Sequence, residues 1–155
     1  MKKISVYAVS ILTALGVGVL SAVITAKNMD IYATINPPFL APPAILFPIV
    51  WTLLFTLMGI SAAIIYLSNA PATEKTKALF VYAVSLFVNF FWSIFFFNMQ
   101  AFTLSFIWLI LLWALIFLTI LDYSKINKAA AYLQIPYLIW VAFAGYLNLA
   151  IVLIN

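Results

Sequence analysis

The chain of 155 residues contains no cysteine and no histidine, and its only carboxylates are Asp30, Glu74 and Asp122. Without thiols there are no disulfides and no thiolate chemistry, and without imidazole the usual zinc sites and axial haem ligands are excluded as well. None of the acids falls inside an apolar run. Proton relays and charge-coupled pumps are therefore disfavoured, because they depend on intramembrane ionisable groups. Charged residues make up only 6% of the chain, and the net charge of +4 comes from lysines at segment ends. Placed there, the charge reads as membrane topology, and no nucleic-acid partner is expected. No internal repeat, low-complexity tract or second domain is visible.

What the chain does contain is hydrocarbon. Apolar residues make up 68% of it and the mean hydropathy is +1.25. Such a composition excludes an ordinary water-soluble globule. Several runs of about twenty apolar residues predict an all-α, polytopic membrane protein, a five-transmembrane-helix bundle. The helices are expected at about 4–26, 45–68, 78–98, 102–121 and 129–154, with a lid loop at 27–44, all within a single domain, 1–155. The first run begins after Lys2 and Lys3, like a signal peptide, but about 23 apolar residues exceed a normal signal core. Lys2, Lys3, Lys75, Lys77, Lys125 and Lys128 fall on one side and Lys27 alone on the other. That bias predicts a multi-pass cell-membrane protein with a cytoplasmic N-terminus and with the first loop and the C-terminus outside.

One segment, PPFLAPPAILFPIVWTLLFTLMG from Pro37 to Gly59, carries the strongest local signals. Its proline pairs, Pro37-Pro38 and Pro42-Pro43, fix φ and restrain the residues before them, which predicts a stiff extended loop. Pro48 stands near the start of the next helix, where its missing N–H costs little. Trp51 and Phe55 are four apart and share a helix face. A stiff lid leading into an aromatic face suits the mouth of a cavity for a flat apolar ligand; it also suits an ordered loop that merely ties two helices together. Along the first helix Ser10, Ala14, Gly18, Ala22 and Ala26 form a column of small side chains. Such a column serves close packing inside the bundle or a dimer face. Pro136, inside the fifth helix, is expected to bend it.

Depth narrows the candidates. At about 1.5 Å of rise per residue, Trp51 lies about 9 Å below the loop-side end of its helix, and Asn89, Phe90 and Trp92 lie about 9–14 Å below theirs. Trp140 falls near the middle of the fifth helix, with Phe143, Ala144 and Asn148 above it. All of these can converge beneath the proline loop. A carboxamide in hydrocarbon must find partners, so Asn89 points inward, either to a ligand or to a structural interhelical hydrogen bond. Asn148 carries the same alternatives. Membrane tryptophans are often interfacial belt residues, but Trp51, Trp92 and Trp140 at compatible depths suit the aromatic walls that a planar ligand needs. Trp108 and Trp113 on the fourth helix read as lipid-facing or packing residues.

Several of these residues occur in a pattern that resembles the tryptophan-rich sensory protein and translocator protein (TspO/MBR) family, bacterial type. The pattern is Pro38, Pro42-Pro43, Val50-Trp51 leading to Met58-Gly59, Asn89 with Trp92, Phe95–Phe97, Pro136-Tyr137-Leu138, Trp140, Phe143-Ala144 and Leu147-Asn148. The resemblance covers nearly the whole chain. It implies a pocket on the side of the first loop that binds porphyrins, including protoporphyrin IX and haem, and drug-like aromatic ligands of the isoquinoline and benzodiazepine type. It also implies a homodimer in contact with membrane lipid. No cofactor is required; the porphyrin is ligand or substrate. Bacterial relatives are credited with light-dependent oxidative breakdown of protoporphyrin IX, and that proposal gives Trp51 and Trp140 a photochemical, catalytic role. The ligand-binding set becomes Tyr32, Pro42 and Pro43 in the lid, Trp51, Phe55, Phe90, Trp92, Trp140, Phe143 and Ala144 in the walls, and Asn89 and Asn148 as polar or structural partners. A tetrapyrrole transporter and a ligand-sensing scaffold without turnover are the alternatives; no coupling charge or inverted repeat supports transport.

The chain departs from the family pattern in three places. Leu40 and Ile45 stand where tryptophans are common in the loop, so the lid is less aromatic. Trp108 aligns with an aspartate of animal members. The tail from Asn148 to Asn155 has neither the tyrosine nor the basic residue of the animal cholesterol motif, so cholesterol binding through that motif is not expected.

Overall fold

Runs of apolar residues long enough to satisfy their own backbone hydrogen bonds in lipid become helices, and five do so here. The computed structural model describes residues 2–155, apart from the side chain of Tyr32. The helices are α1 (Lys3–Thr25), α2 (Leu46–Leu67), α3 (Ala72–Ser93), α4 (Phe102–Ile126) and α5 (Lys128–Ile154). Each spans at least 22 residues, or about 33 Å, which is enough to cross a hydrocarbon core of about 30 Å. There is no strand among the described residues. The chain is an all-α, five-helix membrane protein.

Contacts between neighbouring helices run α1–α2–α5–α4–α3 and back to α1, a closed ring rather than the order of the sequence. Glycine sets the closest of these approaches. A Cβ on Gly59 would lie 2.5 Å from the Ile11 Cα, so only glycine lets α2 meet the α1 backbone there. Beside it, the Ser10 hydroxyl donates to the Gly59 carbonyl at 2.7 Å. The column of small residues on α1 thus packs inside the bundle at Ser10 and Ala14, and Ala14 is wholly buried. At Gly18 the column opens onto the Phe55 ring, 2.6 Å from where a Cβ would be.

Two helices run further than hydropathy suggests. The polar stretch before Ala78, expected as linker, is already helical from Ala72 with Pro71 as its N-cap. Glu74 in this first turn complements the helix dipole, and the Lys75 ammonium donates to the Tyr66 and Ser68 carbonyls, closing the end of α2. Helix α4 continues through Asp122 to Ile126, and Asp122 meets Lys77 at 3.5 Å. Asn127 then caps α5, its side chain accepting from the Ala130 N–H at 3.1 Å. Helix α5 continues unbroken past Pro136. Helix α3 ends in a π-turn, Ile94–Asn98, before the tight connection to α4.

Candidate ligand pocket beneath the lid loop

Below the loop of residues 27–44 the helices leave a cavity of about 380 Å³, within the usual range of small-molecule sites. Trp51, Phe55, Phe96, Phe97, Trp92 and Trp140 supply rings to it, Gly18 and Ala144 supply room, and Pro42 and Pro48 also line it. No residue of α4 lines it. Trp108 on α4 instead donates its indole N–H to the Val88 carbonyl at 2.7 Å, and Trp113 stacks on Phe117 at the surface, its ring nearly parallel. Both act in packing or face lipid, away from the pocket.

The rings are held by other rings. Trp51 lies 5.5 Å from Phe55 and meets Tyr137 edge-on at 6.1 Å. Trp92 stacks on Phe96 at 5.3 Å. Trp140 is flanked by Phe47 at 6.0 Å and Phe143 at 5.5 Å. Aromatic pairs at such distances favour fixed relative orientations, so the wall is preformed.

Polar groups enter this wall at few points. Asn89 is 4% exposed and donates from Nδ2 to the Tyr137 hydroxyl at 2.6 Å. It therefore bridges α3 and α5 and also lines the cavity. Ser21 and Ser93, also in the wall, share a hydrogen bond of 2.6 Å between their hydroxyls. No group of three or more acidic, histidine or cysteine side chains that could hold a metal occurs among the described residues.

Of the residues singled out in the sequence, Pro42, Trp51, Phe55, Asn89, Trp92, Trp140 and Ala144 meet at this cavity. Pro43, Phe90, Phe143 and Asn148 do not line it, and the Tyr32 side chain lies outside the described residues. Phe90 meets Phe91 edge-on at 5.3 Å, and Phe143 supports Trp140 from behind. Asn148 is engaged by three protein groups. Its Oδ1 accepts from the Trp92 indole at 3.3 Å and the Ser105 hydroxyl at 3.0 Å, and its Nδ2 donates to the Phe102 carbonyl at 2.9 Å. It joins α3, α4 and α5 above the pocket.

Sequence reasoning missed Ser21, Ser93, Phe96 and Phe97 as wall residues. Ser21 follows Gly18 by three positions, so the face of the small-residue column pointed to it. Phe96 and Phe97 follow Trp92 and Ser93 by four positions, so the face of α3 that carries Asn89 pointed to them as well. Along the mouth, the Tyr146 hydroxyl donates to the Phe39 carbonyl at 2.7 Å. Asn155 Oδ1 accepts from the Asn36 N–H at 3.1 Å, and its Nδ2 donates back to the Asn36 carbonyl at 3.3 Å. The lid loop is thus pinned to α5. At its tip Leu40 takes a left-handed φ of 69°.

Comparison with known proteins agrees with this architecture. The model of the TspO/MBR family matches residues 9–154. The chain is 37% identical over 155 residues to the tryptophan-rich protein TspO of Chlorobaculum tepidum, covering 99% of this chain and 98% of the relative. It is 37% identical over 147 residues to the protein of the same name in Archaeoglobus fulgidus, covering 94% of each. The translocator protein of Ovis aries is 30% identical over 118 residues, which is 76% of this chain and 70% of that one. With five membrane-spanning helices and a match that runs from the second turn of α1 to the end of α5, the chain belongs to the TspO/MBR family.

Proposed function

We propose that the protein is a receptor for flat aromatic molecules of the porphyrin class, protoporphyrin IX and haem among them, and for smaller drug-like aromatics. The observation that carries this reading is one cavity to which three helices bring indoles, Trp51 from α2, Trp92 from α3 and Trp140 from α5. Indole faces bind planar π-systems by stacking. Asn89 and the Ser21–Ser93 pair can receive a ligand's polar edge. The volume of about 380 Å³ lies toward the lower end of the range of about 300–1,000 Å³ for ligand sites. Two or three linked rings fit without rearrangement, whereas a tetrapyrrole needs the lid to shift.

The lysine bias supports a cytoplasmic N-terminus and a pocket opening on the outer side. Oxidative breakdown of bound protoporphyrin IX under light would take dioxygen as oxidant and would ask no acid, base or metal of the chain. In that reading Trp51 and Trp140 stand against the excited ligand. The test is titration of the purified protein with protoporphyrin IX in detergent, in the dark, followed by tryptophan fluorescence. Saturable quenching, displaced by an isoquinoline carboxamide, is the expected result; linear, non-displaceable quenching refutes binding in the pocket. Illumination of the loaded protein then tests turnover. The double variant Trp51→Phe, Trp140→Phe is expected to bind but not to bleach the ligand, and unchanged bleaching removes the tryptophans from the chemistry.

A further inference from the structure

Polar atoms that are buried and lack a protein partner are not scattered through this bundle. Among the described residues they are the hydroxyls of Tyr82 and Tyr123, both ends of the Gln134 carboxamide, and the Trp140 indole nitrogen. All but the last lie outside the pocket lining. Gln134 is 1% exposed and Tyr123 is fully buried.

The geometry brings these groups toward one point. Gln134 precedes Tyr137 by three positions and so lies on the same face of α5, one turn further from the pocket. Tyr82 precedes Asn89, the partner of Tyr137, by seven positions and so lies on the same face of α3, two turns further from the pocket, and the Tyr82 and Tyr123 rings are 6.4 Å apart. Helix direction completes the convergence. Side chains lean toward the N-terminus of their own helix. Gln134 and Tyr82 therefore lean away from the pocket, whereas Tyr123, on the antiparallel α4, leans toward it.

We propose that Gln134, Tyr82 and Tyr123 form a buried water-binding site, distinct from the aromatic pocket. A carboxamide with neither end matched is costly in an apolar interior. Water satisfies it, because one molecule donates to Oε1 or accepts from Nε2 and pairs with a tyrosine hydroxyl in the same step. Ordered interior waters typically take about three hydrogen bonds from groups of this kind. A metal cation does not suit the cluster: the nearest carboxylate in sequence, Asp122, is engaged by Lys77 at the rim. Since Asn89 in the pocket wall donates to Tyr137, the water site extends a line of polar groups from the ligand cavity toward the opposite side of the membrane.

A crystal structure of the wild-type protein at a resolution that places waters tests this directly. Density within hydrogen-bond distance of Gln134 and of at least one of the two hydroxyls is expected. A dry site, or direct Gln134–tyrosine hydrogen bonds with no water, overturns the proposal. Thermal unfolding in detergent gives a second reading. Gln134→Met keeps the bulk and removes both polar ends, and it is expected to lower the midpoint by about 3 °C, since the water and hydroxyls lose a partner. An unchanged or raised midpoint means that the carboxamide was dry and unmatched, and overturns the site. Should that variant fail to fold, Tyr123→Phe deletes one oxygen and keeps the ring. A smaller fall in midpoint is expected from it, and no fall at all counts against the proposal.

Discussion

The two halves of this bundle pack in opposite ways. On the N-terminal side Ala62, Ala63, Ala78, Ala130 and Ala131 let helices close on one another, with Ile65 and Ile116 filling what remains. On the loop side the inward positions hold Trp51, Phe55, Trp92, Phe96 and Trp140, and the helices stay apart around a cavity. Small side chains in lipid allow backbones to approach and gain dispersion contacts. Large flat rings set a minimum separation and cannot fill every angle between cylinders. The pocket therefore follows from where bulk sits along the helices.

The contrast can be broken most severely at Gly59. Gly59→Ala puts a methyl into the α1 backbone and is expected to cost about 2–3 kcal/mol of stability, seen as a large fall in unfolding midpoint in detergent. On the loop side, Trp51→Ala enlarges a space that is already open. It is expected to leave folding intact and to weaken porphyrin binding by ten- to a hundredfold in fluorescence titration, about 1.4–2.7 kcal/mol. Trp113→Ala on the lipid face is expected to leave the same titration unchanged. Asn148→Leu strands the Trp92 indole, whereas the Ser105 hydroxyl keeps the Phe102 carbonyl; the change is expected to cost about 1–2 kcal/mol, with a smaller loss of affinity as Trp92 loses its anchor. The smallest loss of stability is expected from Ser61→Ala. It removes a hydrogen bond of 2.7 Å to the Ala130 carbonyl between α2 and α5, worth about 0.6 kcal/mol in a membrane bundle, and thermal unfolding should register it without any change in binding.

Much of this was legible in the sequence because membranes impose a length on apolar segments and a depth on each residue. The number of helices, and the common height of Trp51, Asn89, Trp92 and Trp140, follow from counting. Helix ends did not follow, because hydropathy marks where lipid stops and not where hydrogen bonding stops. The TEKTK stretch leaves the apolar region yet stays helical. Facing direction held through the end of α3: Phe96 and Phe97 stand four positions after Trp92 and Ser93, on the face that carries Asn89. Asn148 was ambiguous for want of its partners. Nothing in the local sequence announces that Ser105 and Trp92 take both lone pairs of its oxygen.

The bonds from Asn155 and Tyr146 to the loop bear on time rather than on affinity. A guest too large to slip past must wait for the Asn36 and Phe39 attachments to part, and three such bonds at about 0.5 kcal/mol each amount to about a tenfold slowing. Entry and escape are delayed alike, so the dissociation constant is untouched while the dwell of each molecule lengthens.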